Sequence, residues 1–283
     1  MNLAFLKGFD MRIVICAMAK NEHRYINEWV KHYVDLGIDT IYLYDNDNLD
    51  TPSIADFIDQ KYRDKVVIKN IRGQQRPKLQ HDIYTGFYAK YGKTFDWVLY
   101  CDIDEFLFGI TNFHSWLMQP QFKSAMQIRV KWKLFGDDDL IERDMTKGVV
   151  DTFHNEIKQT LHRNLEQKGN LEQQGKMLVR GGMPNVVVRS PHFASFGYRD
   201  KVIPSILPSG KPCFSKVAIE EDYKNESVYL HHYMTKSLSE FIEQKLNRTD
   251  AVFGNTLALD YYWRINKKTQ EKLNYLKNMG LIN

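Results

Sequence analysis

Residues 12–17 (RIVICA) form a short continuous apolar run, the pattern of a buried strand. The period then changes. Across 21–36, Ile26, Trp29, Val30, Tyr33 and Val34 recur at helical spacing, and Gly37 supplies a C-terminal stop. Residues 40–44 (TIYLY) are β-branched and aromatic and predict a second strand. Asp50 and the following Thr-Pro-Ser open a short helix through Ile54, Phe57 and Ile58. A third strand is expected at 66–68. A helix is expected at 78–91, with Ile83, Phe87 and Tyr91 on one face. A fourth strand follows at 97–101 (WVLYC). Strands that alternate with helices imply βαβ units, hence an α/β fold with a mainly parallel central sheet flanked by helices. Such sheets place ligands at the carboxyl ends of their strands.

The second half is less regular. Residues 126–132 predict a strand, the polar stretch 137–144 a loop, and 186–189 another strand. Residues 164–175 (NLEQKGNLEQQG) write a six-residue unit twice, which is too few copies for a repeat architecture and reads as an exposed insertion. Three prolines and a glycine make 204–212 an expected loop. A short strand is expected at 227–230. A helix at 237–246 runs through Leu238, Phe241, Ile242 and Leu246. Residues 257–281 are helical in composition and basic.

Composition narrows the class. The 283 residues are 43% apolar and 26% charged, which argues against global disorder and suits one large domain or two small ones. No apolar run approaches the roughly 18–20 residues of a membrane helix. The N-terminal residues do not read as a secretory signal, because the first apolar patch is short and no small-residue cleavage site follows it. A net charge of +4 is too small to call for nucleic acid. The basic residues are uneven, however: seven Lys or Arg against one acid over 176–216, and five against one over 264–277. These stretches suit an anionic partner or, more plainly, a solvated face. Three cysteines make no disulfide framework; Cys16 and Cys101 lie in apolar runs and read as core, and a reducing cytosol fits best.

The strongest local chemistry is Asp102-Ile-Asp104-Glu105, directly after the WVLYC run. In an extended chain, residues two apart face one side, so Asp102 and Asp104 are placed to hold one hard cation at a strand end. The same D-x-D string recurs as Asp45/Asp47 and Asp137/Asp139, and solvated or capping aspartates are the plain alternative. Asp45 ends the second strand, where a carboxylate reaches a base or ribose, or closes a turn. Lys20, Asn21 and Glu22 follow the first strand as nucleotide contacts or as a helix start with Asn21 as N-cap. His231 and His232 follow the 227–230 strand, and imidazole suits Mn²⁺ better than Mg²⁺. Lys236, Lys245 and Arg248 lie just beyond, with Lys236 at a predicted helix start, a place that welcomes phosphate. Phosphate-loop, dinucleotide, serine-hydrolase, zincin and paired C-x-x-C zinc patterns are all absent.

Taken in order, the segments 19–39, 41–47 (IYLYDND), the helix of Gln80, 97–107 (WVLYCDIDEFL), 130–139 (VKWKLFGDDD), 176–182 (KMLVRGG), 190–193 (SPHF) and 228–248 resemble GT-A-fold glycosyltransferases of the family 2-like and family 92-like group of bacterial surface-polysaccharide synthesis. The resemblance implies a GT-A domain over 1–250, with a nucleotide-binding half at about 11–110, an acceptor half at about 111–250, and a basic helical tail at 251–283. It implies a metal-dependent inverting transfer from a nucleotide sugar, a UDP-sugar above others, to a hydroxyl of a glycan or lipid-linked acceptor, on the cytoplasmic side of the envelope. Lys20, Asn21, Glu22, Asp45 and Asp102 would line the nucleotide pocket. Asp102, Asp104 and His232 would hold Mn²⁺ or Mg²⁺. Trp132, Lys236 and Lys245 would meet phosphate or acceptor. A single carboxylate base would deprotonate the acceptor. Asp137 and Asp138 are its candidates, with Asp104 and Glu105 as alternatives. Neither the doubled NLEQ unit nor the tail belongs to the pattern; the tail docks on a membrane face, on the domain or on a second subunit. Other classes stay open: a nucleotidyltransferase, although the AMAKNEHR stretch lacks the glycines of a phosphate loop, or a catalytically inactive nucleotide- or carbohydrate-binding protein.

Overall fold

The computed structural model describes residues 11–157, 175–197, 201–213, 226–246 and 258–283. Strand β1 (Ile13–Ala19) is buried on both faces. Ile13, Ile15, Ala17 and Ala19 face one core and Val14 and Cys16 the other, as the two-residue period of a strand requires. Helix α1 (Ile26–Asp35) covers the first face with Ile26, Trp29, Val30 and Tyr33. Each such buried side chain contributes about 1.5–3 kcal/mol by transfer from water. The helix ends where Gly37 turns at φ +86°, a conformation costly for any residue with a Cβ.

Strands β2 (Thr40–Asp45) and β3 (Val66–Asn70) follow, separated by short 3₁₀ turns at Ile54–Phe57 and Gln60–Tyr62. Helix α2 (Leu79–Tyr91) lies on the opposite face, where Tyr84, Phe87 and Tyr88 join the second core. Strand β4 (Trp97–Tyr100) leads into β5 (Glu105–Phe108), α3 (Phe113–Leu117) and β6 (Gln127–Leu134). Next come β7 (Gly175–Arg180), β8 (Val186–Ser190), β9 (Phe193–Phe196), β10 (Lys201–Val202), β11 (Ser205–Ile206), β12 (Pro212–Cys213) and β13 (Tyr229–His232). Helices α4 (Leu238–Gln244), α5 (Leu259–Trp263) and α6 (Gln270–Asn278) complete the described chain.

Among the described residues, the central sheet has ten strands in the order β12-β11-β6-β7-β4-β1-β2-β3, with β13 pairing both β5 and β6. Its β3-β2-β1-β4 half is parallel throughout. Strand β7 then runs antiparallel to both β4 and β6, while β13 and β11 lie parallel to β6. The expected mixed α/β architecture with a mostly parallel central sheet is therefore present, and β7, together with the antiparallel β5–β13 and β11–β12 pairs, departs from it. Hydrophobic period marks a strand but not its direction. The sheet also runs unbroken across the expected boundary near residue 110, because β6 and β7 continue it beyond β4.

Smaller differences have local causes. Residues 204–212 are not all loop: β11 and β12 pair there, with Pro212 on an edge strand, where a missing N–H costs no ladder bond. Helix α1 starts at Ile26, the first residue of the apolar period, and not at the expected position 21, because Asn21 turns left-handed at φ 60° and the Tyr25 and Ile26 N–H groups go to the Glu22 carbonyl. Cys16, Cys101 and Cys213 are buried free thiols. Among the described residues, no helix is long and apolar enough to cross a membrane. The tail packs on the domain: Tyr262 and Leu276 join Leu238 and Phe241 of α4 in a cluster of their own. The doubled NLEQ unit (apart from Gly175) and Arg248 lie outside the described residues.

Candidate functional site

The Asp102–Glu105 turn leaves the carboxyl end of β4 and is held from below by α1. The Trp29 indole N–H donates to the carbonyls of Asp102 and Glu105, each at 3.0 Å, and the Tyr33 hydroxyl donates to the Glu105 carbonyl at 3.1 Å. Glu105 closes the turn on itself, its Oε2 accepting the Asp102 N–H at 2.9 Å. Strand β13 lies against β5 with His232 opposite Glu105, and the Tyr233 N–H donates to the Asp104 carbonyl at 2.9 Å. The same strand lies parallel to β6. The Trp132 and His232 rings therefore meet at 4.5 Å.

Lysines from distant segments meet the carboxylates. Lys176 Nζ, at the start of β7, donates to Asp102 Oδ2 at 2.6 Å and lies 3.5 Å from Glu105 Oε1. Lys245 Nζ, just past α4, donates to Asp104 Oδ2 at 2.6 Å and to the Met234 carbonyl at 2.5 Å. His232 Nε2 sits 3.4 Å from Asp104 Oδ1. Asp102 keeps a side facing solvent, with 35% of its side chain exposed, whereas the Lys176 side chain is 1% exposed. Gly175 makes the Lys176 position possible, since a Cβ there would stand 1.9 Å from the Val130 carbonyl oxygen of β6.

Burial and charge pull these groups in opposite directions. Burial alone raises the Asp104 carboxyl, yet Lys245 and His232 hold it well below the usual carboxylate range. Burial pushes Glu105 up despite Lys176. Burial lowers Lys176, and Asp102 and Glu105 more than reverse this. Burial lowers both His232 and Lys236 from their ordinary values. Several buried polar atoms here have no hydrogen-bond partner: Lys236 Nζ, Trp132 Nε1, His232 Nδ1 and Glu105 Oε1. Such atoms are costly in a finished core, and a concentration of them marks a place built for something else.

The remaining expected site residues divide. Asp45 is fully buried; its oxygens accept from the Ser53 hydroxyl at 2.7 Å, the Ile54 N–H at 3.2 Å and the Asp47 N–H at 3.1 Å. It closes the turn, a role compatible with a place beside a base or ribose. Lys20, Asn21 and Glu22 stand at the end of β1, where the Asn21 N–H donates to Asp47 at 2.6 Å instead of Asn21 capping a helix. Asp137 is buried, 2.5 Å from Lys272 Nζ, and accepts the Tyr262 hydroxyl and the Asp139 N–H. Asp138 is half-buried and accepts the His154 and Asn155 N–H groups at 2.8 and 3.1 Å. The helix start expected to welcome phosphate is closed: the Ser237 hydroxyl accepts the Glu240 N–H while Glu240 accepts the Ser237 N–H.

The metal expected at Asp102, Asp104 and His232 meets an obstacle in the same geometry. Each carboxylate has one oxygen committed to a buried ammonium, and among the described residues no group of three or more His, Cys, Asp or Glu is arranged to hold a cation. As placed, Asp102 and Asp104 would each offer a divalent ion only the oxygen that its lysine leaves free. Lys176 is a site residue that the sequence reading did not single out, because it was counted within a basic stretch open to an anionic partner or a solvated face. The available signal was its position beside Gly175, at the head of the apolar Met177–Val179 run. His192 was also missed; its Nδ1 lies 2.7 Å from the Gly175 carbonyl oxygen and its ring stands edge-on to Trp132 at 5.2 Å. No protein-family model matches the chain, and no curated protein matches it in sequence.

Proposed function

We propose that this chain is a GT-A-type glycosyltransferase that moves a sugar from a nucleotide sugar, a UDP-sugar first, to a hydroxyl of a glycan or lipid-linked acceptor. The observation that carries the reading is the group of buried polar atoms without a hydrogen bond (Lys236 Nζ, Trp132 Nε1, His232 Nδ1) around the turn that leaves β4. Ligands of open α/β sheets gather at strand carboxyl ends, and this turn occupies one. The order of segments that resembles glycosyltransferases supplies the reaction class.

In this reading the nucleotide lies over the ends of β1, β2 and β4, near Lys20, Glu22 and Asp102. The acceptor comes from the side of Trp132 and the loop after β6. The acceptor hydroxyl attacks the anomeric carbon from the face opposite the nucleotide, the C–O bond to the diphosphate breaks, and the nucleoside diphosphate leaves with the electron pair. The hydroxyl proton passes to a carboxylate. Asp138 takes that role in preference to Asp137, which is bound by Lys272 and Tyr262. The reaction takes place on the cytoplasmic side, where such donors are made.

The test is a panel of nucleotide sugars scored for release of the nucleoside diphosphate with and without glycan acceptors. Turnover of a UDP-sugar is expected. Asp138→Asn should lower turnover by about 10²–10⁴-fold, the usual contribution of a general base, while keeping donor affinity. A chain that neither consumes nor binds any nucleotide or nucleotide sugar would sink the proposal.

A further inference from the structure

The lysines are disposed in a way the transferase reading does not require. Asp102 and Asp104 each hold a buried ammonium at 2.6 Å, from Lys176 and Lys245. A third lysine, Lys236, is 2% exposed and its Nζ has no hydrogen-bond partner. It rests 4.2 Å from the Tyr25 ring centroid and lies within the field of Glu22, Asp104 and Lys245. The backbone at Lys236 is held left-handed at φ 56°, an unfavourable conformation for a lysine. A buried ammonium without a hydrogen bond loses its hydration with little return. Trp132 Nε1, a second donor without an acceptor, lies on β6 with its ring 4.5 Å from that of His232 on the neighbouring strand β13.

We propose that this site receives a diphosphate on lysine ammonium groups, with Lys236 as the direct donor, and that it requires no divalent cation. The inference rests on the transferase reading for the identity of the diphosphate as part of a nucleotide sugar. Asp102 and Asp104 then act as anchors: they fix Lys176 and Lys245 as neighbouring positive charges. The ammonium groups supply the neutralisation that a metal supplies elsewhere, at the oxygens where charge develops as the sugar departs. Lys236 exchanges an unpartnered state for a charge-assisted hydrogen bond to a phosphate oxygen. Trp132 Nε1 offers the uncharged donor beside it.

The experiment is calorimetric titration of the whole chain with inorganic pyrophosphate and with UDP, each in EDTA and in excess Mn²⁺. The wild-type measurement needs no variant. UDP and pyrophosphate should bind in EDTA with affinities within about twofold of those in Mn²⁺. Lys236→Met, which replaces a buried ammonium by an apolar chain of similar length and should keep the melting temperature, should weaken both by roughly ten- to a hundredfold, the span of one charge-assisted hydrogen bond. Binding that appears only with Mn²⁺ overturns the lysine assignment and leaves the nucleotide reading standing. Pyrophosphate binding in EDTA that Lys236→Met weakens, with UDP not bound, keeps the lysine site and removes the nucleotide reading. Binding in EDTA that Lys236→Met does not change overturns the role of Lys236. No binding in either buffer overturns both.

Discussion

Asp45 ends β2 with Asp47 just beyond it, and Asp102 and Asp104 follow β4; both strands are neighbours of β1 and run parallel to it. The two pairs share spacing, strand polarity and an apolar run before them. Their partners differ in kind. Asp45 takes backbone N–H groups and the Ser53 hydroxyl within nine residues, with the Arg72 guanidinium more loosely placed at 4.0 Å, and Asp47 takes the Asn21 N–H and lies 3.0 Å from His23 Nε2. Asp102 and Asp104 take ammonium groups from 74 and 141 residues away. One pair finishes a turn. The other ties β7 and the segment after α4 to one point. A carboxylate pair is thus defined by what arrives opposite it, and the string D-x-D carries none of that.

The sharpest break of this comparison is Asp104→Asn, which leaves Lys245 buried against an uncharged partner. It should destabilise by about 3–5 kcal/mol, and adding Lys245→Met should recover most of the loss. Denaturant midpoints of the single and double variants measure this. A double variant no more stable than the single one would mean that the pair is not ionic in its effect. Asp45→Ala should cost less, about 1–3 kcal/mol, because it strands hydrogen-bond donors and its one cationic neighbour, Arg72, stands off at 4.0 Å without a hydrogen bond to it. Lys245→Met should add to that cost without offsetting it, as for distant sites. The smallest effect is a titration confined to the β4 side. Burial, and then Lys176, push His192 down to about 3, while the Gly175 carbonyl and Asp102 pull the other way and Arg129 adds to the lowering. The unfolded chain binds a proton at His192 near the ordinary histidine value of about 6.5, and the folded chain does not until about 3. Stability therefore falls as pH drops through that window, by up to about 2 kcal/mol between about pH 7 and about pH 5. His192→Gln should flatten that part of the curve in thermal melts taken across pH.

Strands β1, β2 and β4 are legible in the sequence because each is a short apolar run that packs on both faces. Strand β5 is not, because Glu105 opens it and acidic residues precede it; its burial comes from pairing with β13 and from α1 packing against it. The Asp102–Glu105 turn was legible as chemistry from its place after a strand. Its lysine partners were not: the pairing of Lys176 with Asp102 depends on β7 entering antiparallel between β4 and β6, which no local pattern encodes. Asn21 shows the opposite failure. It has the composition of a helix cap, and its backbone N–H is claimed by Asp47 from the adjacent strand. A tertiary contact there overrides a local preference.

The central position of β7 bears on how the chain emerges during synthesis. Strands β1 to β4 can pair as soon as they leave the ribosome, but the open edge of β4, with Trp97, Val98, Leu99 and Tyr100 fully apolar, is covered by residues 175–180, some eighty positions later in the chain. Until those residues arrive, a nascent chain carries an unpaired apolar edge of the kind that recruits other strands. A translation pause or premature stop ahead of Gly175 would therefore yield a fragment that aggregates or is held by chaperones, while a stop placed after β7 would release one whose inner strands are already protected.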